Sequence, residues 1–331
     1  MSKKTYILIM LVFSMLFLSL LYLHIIPQQK TEVRIGYLIG DLHHLPFFVA
    51  LEKGFFKEVG IDVKVVGPFE AGTAEMGALA ANQLDIGYVG TSPAIIAAAR
   101  GVNLSIVSGV NMEGSSLVVN KSVGDIKELR GKKIATPLPG SIQYILLGIL
   151  LSKNNMSYQD IDILPGTIKP PDMPGVLERG QIDGYIVWEP YASQSIVSGS
   201  GKRLVESNSI WPEHPCCVIV TRNDFKEKNS VIVQRIVEVN KKAIEFIKNN
   251  PEEAKKIATK YTNLDMKVIE EALPKIKFEY NVEKNNTKRF VEEIIKLGES
   301  KTIKPIIKSE EIQNITEFID KIIDSSFLIG N

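Results

Sequence analysis

The chain has 331 residues, 45% of them hydrophobic and 23% charged, with 39 lysines and arginines against 38 acids. That composition suits a globular protein of one large or two medium domains. A net charge of +1, with no basic stripe interleaved with aromatics, argues against nucleic acid as a partner.

The first element in chain order is apolar. Lys3 and Lys4 precede Tyr6–Ile26, a run without acid, lysine or arginine and roughly long enough to cross a bilayer core of about 30 Å as a helix. The leading lysines favour a cytoplasmic N-terminus. No small-x-small cleavage site ends the run, and no cysteine follows it to carry a lipid. The expectation is a cytoplasmic N-terminus over 1–5, a single-pass transmembrane signal anchor over 6–26 and a linker over 27–32. The working domain then lies on the extracytoplasmic side of the cell membrane; a cleaved signal is the alternative.

From Val33 short apolar runs alternate with helical patterns, the mark of α/β architecture. VRIGYL, IDVKVVG, LDIGYVG and LSIVSGV read as strands. Between them LPFFVALEKGFFKEVG, AGTAEMGALAANQ and TSPAIIAAARG read as helices, the first opening near Pro46 and the last ending at Gly101. After SSLVVN the pattern restarts: KKIATPL, IDILPG and DGYIVW as strands, with GSIQYILLGILLSKN, MPGVLERGQ and PYASQSIVSG as helices. CCVIVT is a last strand, and its adjacent Cys216 and Cys217 are read as two packed thiols rather than a disulfide framework. Beyond Val220 the pattern is almost wholly helical.

Four stretches in order carry a resemblance. They are G-Y-x(6)-L-P-x(2)-V-A-x-E-K-G-F-F-K-E-x-G-I-D-V from Gly36, A-L-A-A-N-Q-L-D-I-G-Y-V-G-T-S-P at Ala78–Pro93, D-I-K-E-L-R-G-K-K-I-A-T-P-x-P-G-S at Asp125–Ser141 and L-E-R-G-Q-I-D-G-Y-I-V-W-E-P-Y at Leu177–Tyr191. With them the chain, from about Val33 to Phe327, resembles the periplasmic-type solute-binding proteins of ABC importers in the nitrate, sulfonate and taurine group, which includes relatives of thiamine-precursor binding proteins. The resemblance implies a bilobal periplasmic-binding-protein-like fold of type II, with two Rossmann-like lobes and a ligand cleft. It places lobe one at 33–118 and 221–331 and lobe two at 119–220. It also implies a monomer that captures a small solute, such as a sulfonate, taurine or nitrate, by hinge closure and hands it to a permease with its ATPase subunits.

Ligands in such lobes lie beyond the carboxyl ends of strands, at loops entering helices. Those loops supply Asp41, His43, His44, Gly72, Thr73, Thr91 and Ser92 from lobe one, and Gly140, Ser141, Gln143, Trp188 and Glu189 from lobe two. Asn111 and His214, near the crossings between lobes, complete the set. The helix N-termini at GTSPA and PGSIQ are candidates for holding an anion without lysine. Trp188 walls off or stacks on the solute. Glu189 favours a zwitterion or an amine-bearing ring. Of the two adjacent histidines His44 is expected to touch the solute.

Adjacent cysteines rarely chelate one ion, and neither a CxxC nor an HxxxH spacing occurs, so no metal and no cofactor are expected. No GxSxG, P-loop, HExxH or GxGxxG precedes a helix, so catalytic residues are not expected either. The alternative function is an enzyme or carrier related to the proteins that bind or make the thiamine pyrimidine precursor.

Overall fold

In the computed structural model, residues 31–328 are described. The expected anchor at 6–26 lies outside them, and among the described residues no helix is long and apolar enough to cross a membrane.

The first lobe grows from strand β1 (Thr31–Leu38). Its Val33 and Ile35 are fully buried, and it pairs in parallel with β2 (Ile61–Phe69) and β3 (Ile86–Gly90). Strand β4 (Leu104–Glu113) ends the first βα run. Strand β10 (Pro215–Arg222) inserts antiparallel between β3 and β4, and the short β11 (Ile276–Phe278) pairs with the outer side of β4. The sheet order is β11-β4-β10-β3-β1-β2. Central strands buried on both faces read as unbroken apolar runs, as in β3, whereas the edge strand β2 exposes most of its residues.

The second lobe holds β5 (Ser115–Val119), β6 (Lys133–Thr136), β7 (Asp162–Pro165), β8 (Gly184–Trp188) and β9 (Lys202–Glu206), ordered β7-β6-β8-β5-β9. Here β6 runs parallel to β7 and β8, while β5 is antiparallel to β8 and β9.

The chain passes between the sheets twice. Gly114 alone separates β4 from β5, and the return runs from β9 through the short helix Ser207–Ile210 to β10. The expected lobe boundaries shift accordingly. Ser115–Val119 belongs to the second sheet, although the expected lobe one runs to 118, and Pro215–Arg222 belongs to the first, although the expected lobe two runs to 220.

Of the C-terminal helices, Ser230–Asn249 and Pro251–Thr262 pack on lobe one, whereas Met266–Ala272 and Lys284–Glu299 pack on helices of lobe two. The helix Ser230–Asn249 buries Val233, Ile236, Val237, Asn240, Ala243, Ile244 and Ile247, a stripe at helical spacing. Within that stripe Asn240 Nδ2 donates to Gly109 O at 2.9 Å, so the one polar member ties the helix to β4.

Candidate functional site

The cleft is closed. Ser92 Oγ donates to Gly140 O at 2.6 Å and Tyr191 Oη to Ile39 O at 3.2 Å, each bond joining one lobe to the other. Leu42 N–H donates to Glu189 O at 3.2 Å. Between the lobes lies a cavity of about 30 Å³.

Its walls come from strand ends and helix starts. Lobe one gives Leu38, Asp41, His43, Ala71, Gly72, Thr73 and Pro93, and lobe two Pro137, Leu138, Ser141, Ile142, Gln143 and Trp188. The start of β10 adds Cys216 and Cys217. Two helix N-termini meet here: Gly72–Ala80, and Ile142–Lys153 with Ser141 as its N-cap, whose Oγ accepts Tyr144 N–H at 3.2 Å. First-turn amides have no partner within their own helix, and each helix start carries about half a positive charge. Among the described residues no lysine or arginine lines the cavity.

Asp41 begins a 3-10 turn over Leu42–His44, its Oδ1 accepting His43 N–H at 2.9 Å. That turn aims the two histidines apart. The His43 ring reaches the cleft, where Nε2 donates to Gly114 O at 2.8 Å. Its Nδ1 therefore faces Asp41 Oδ1 at 3.4 Å, Cys216 Sγ at 3.4 Å and Cys217 Sγ at 3.9 Å. His44 turns inward: Nδ1 accepts Leu38 N–H at 3.2 Å and the ring meets the edge of Tyr88. Of the two, His43 lines the cavity and His44, the one expected to touch the solute, does not.

Adjacent residues of a regular strand point to opposite faces, yet both thiols line the cleft. Pairing with β4 steps from Pro215–Met112 to Cys217–Asn111, leaving Cys216 as an extra residue in β10. This bulge brings both sulfurs to one side. The premise against chelation by adjacent cysteines does not hold for this backbone.

Burial sets the charges. It pushes the Asp41 carboxyl up to about 7, against the pull of His43. For His43 burial opposes the imidazolium, but Cys216 and Asp41 outweigh it and push the ring up to about 10. Burial also resists ionisation of Cys216, and the Cys217 thiol and His43 overcome it, holding Cys216 well below the usual thiol range. Cys217 is raised, first by burial and then by its neighbour's charge.

The remaining expected residues stand behind the cavity wall. Ser92 and Gly140 are joined to each other by the bond between the lobes. Thr91 is buried with Oγ1 unpartnered. Asn111 donates to Met112 O and Glu113 O, each at 3.3 Å. His214 is buried with both ring nitrogens unpartnered, and burial holds it below the usual imidazole range. Glu189 is fully buried: Oε1 accepts from Arg203 at 3.0 Å and Oε2 from Ser193 N–H at 3.0 Å. Burial pushes its carboxyl up and Arg203 holds it back. Glu189 is therefore committed within lobe two, and Asp41 is the carboxyl that lines the cavity. Of the helix starts singled out, PGSIQ lines the cavity, while Gly72 and Thr73 take the place expected of GTSPA, which contributes only Pro93.

Sequence reasoning missed Cys216 and Cys217 as cleft residues. The usable signal was their position: an antiparallel strand inserted beside β3 brings its start, not its end, to the cleft.

The NMT1-like family matches residues 27–261. A putative aliphatic sulfonates-binding protein of Bacillus subtilis is 30% identical over 92% of this chain and 87% of its own length. The taurine-binding periplasmic protein of Escherichia coli is 32% identical over 54% of this chain and 56% of its own. In structure, the periplasmic nitrate-binding protein of Synechocystis PCC 6803 superposes with a TM-score of 0.77 at 17% identity, covering 91% of this chain and 88% of that one. The chain shares their bilobal periplasmic-binding-protein fold and belongs to the NMT1-like family.

Proposed function

We propose that the chain is the extracytoplasmic solute-binding component of an ABC importer. It captures a small organic anion or zwitterion by closure of its lobes and delivers it to a permease with its ATPase subunits. The observation that carries this reading is the pair of helix N-termini, Gly72–Ala80 and Ile142–Lys153, meeting across a closed and mostly apolar cleft. Together they hold an anionic headgroup without a lysine or arginine. Leu38, Pro93, Leu138 and Trp188 cover the apolar part of the solute. Asp41, the carboxyl in that wall, pairs with a cationic amine, so a taurine-like zwitterion fits better than nitrate. Residues 6–26 tether the domain to the membrane as an uncleaved anchor, and the domain works as a monomer.

A second reading, an enzyme related to proteins of thiamine-pyrimidine synthesis, is favoured by the 3.4 Å approach of Cys216 Sγ to His43 Nδ1, the arrangement of an activated thiolate. A thermal-shift screen with sulfonates, taurine, nitrate and pyrimidines separates the two. Stabilisation by an unaltered anion or zwitterion is expected of a carrier. Absence of any shift, together with turnover of a substrate, sinks the carrier reading.

A further inference from the structure

The three side chains at the floor of the cleft have the spacing of a metal site. We infer that His43 Nδ1, Cys216 Sγ and Cys217 Sγ bind one zinc-class ion. The inference goes beyond solute capture and holds whichever solute the cleft takes.

The distances carry it. Nδ1 lies 3.4 Å from Cys216 Sγ and 3.9 Å from Cys217 Sγ, and the two sulfurs are 4.0 Å apart. A tetrahedral ion with bonds of about 2.3 Å to sulfur and about 2.0–2.1 Å to nitrogen separates its sulfurs by ~3.8 Å and sulfur from nitrogen by ~3.6 Å. The observed triangle matches those edges to within a few tenths of an ångström, so an ion enters with little movement of the backbone.

The ring is also oriented for the task. Because Nε2–H donates to Gly114 O at 2.8 Å, Nδ1 is the nitrogen that faces the sulfurs, and it becomes a ligand when an incoming ion displaces its proton. A metal-ligating histidine anchored through its other nitrogen to a carbonyl is the usual outer-shell arrangement. All three groups are buried, so bulk water competes weakly for the ion. Two thiolates and one imidazole select a thiophilic or borderline ion over magnesium or calcium.

Three protein ligands leave a fourth position. That position is open to a donor atom entering from the cavity, which the same three residues line.

The test uses the full chain, stripped with a chelator under reducing conditions and titrated with Co²⁺ and then Zn²⁺. The expected result is one cobalt per chain, with thiolate-to-cobalt charge transfer and the ligand-field bands of a four-coordinate ion, displaced by Zn²⁺. Cys216→Ser and Cys217→Ser each weaken binding by more than about tenfold and reduce the charge-transfer band, since loss of even an outer-shell partner costs about 10–100-fold. Should a serine variant misfold by circular dichroism, the wild-type thiols decide. Zn²⁺ must slow their modification by a thiol reagent, and a chelator must restore it. Six-coordinate cobalt spectra without charge transfer, an unchanged band in the folded Cys216→Ser/Cys217→Ser double variant, or thiols indifferent to Zn²⁺ would overturn the inference.

Discussion

Gly114 is the residue on which both lobes and the site depend. It is the sole link between β4 and β5, and its φ of +80° lies in the left-handed region. A Cβ there would strike His43 Nε2 and stand 3.0 Å from both His43 Cδ2 and Ile276 Cγ1. Gly114→Ala therefore adds left-handed strain of about 1–2 kcal/mol. It also drives the imidazole off its bond to Gly114 O, leaving a buried donor unpaired at a cost of about 1–3 kcal/mol. The sum is about 2–5 kcal/mol, read as a lower urea midpoint at unchanged slope. Because His43 lines the cavity, solute affinity falls as well, by about tenfold for each 1.4 kcal/mol lost from the closed form. A variant within about 0.5 kcal/mol of wild type, the range of an ordinary surface change, and with unaltered affinity would refute the reasoning.

Other substitutions probe the walls and the closure. Trp188→Ala removes an almost fully buried indole from the cavity wall. It should cost about 3–5 kcal/mol of stability and weaken solute binding while leaving a cooperative unfolding transition; unchanged affinity in calorimetry counts against its place in the site. Ser92→Ala deletes the 2.6 Å bond to Gly140 O and leaves a carbonyl unpaired. A loss of about 1 kcal/mol from the closed form should appear as roughly fivefold faster solute release in stopped flow, and an unchanged off-rate contradicts the assigned role in closure. The pH dependence follows from Asp41, whose folded value of about 7 lies above its ordinary 3.8. The native state keeps that proton longer than the unfolded chain does. Asp41's contribution to solute-free stability is therefore full below about pH 4 and lost as pH rises through about 7. Affinity for an amine runs the other way, rising as Asp41 ionises through about pH 7. Affinity independent of pH between about 5 and 8 would show that Asp41 does not meet the amine.

Much of the lobe architecture was legible because strand and helix periods alternate cleanly from Val33 onward. Ser141, read as an N-cap facing the cleft, holds that role through a local bond to Tyr144 N–H. What escaped the sequence depended on partners far along the chain. Glu189, expected to favour an amine-bearing solute, is bound by Arg203 on β9. The choice between His43 and His44 rests on a 3-10 turn capped by Asp41, which periodicity does not encode. Cys216 and Cys217 share a face only because β10 carries an extra residue opposite β4. The lobe boundaries slipped for a related reason. β5 starts directly after Gly114 with no loop to mark the crossing, and β10 joins a sheet whose other core strands lie more than a hundred residues earlier.

Isothermal titration of the full chain with an aminosulfonate such as taurine, with its desamino counterpart and with nitrate tests the central claim most directly. Binding is expected to saturate at one solute per chain, tightest for the aminosulfonate, with Asp41→Asn erasing its advantage over the desamino anion. Absence of binding by all three, or an aminosulfonate affinity that Asp41→Asn leaves untouched, would contradict it.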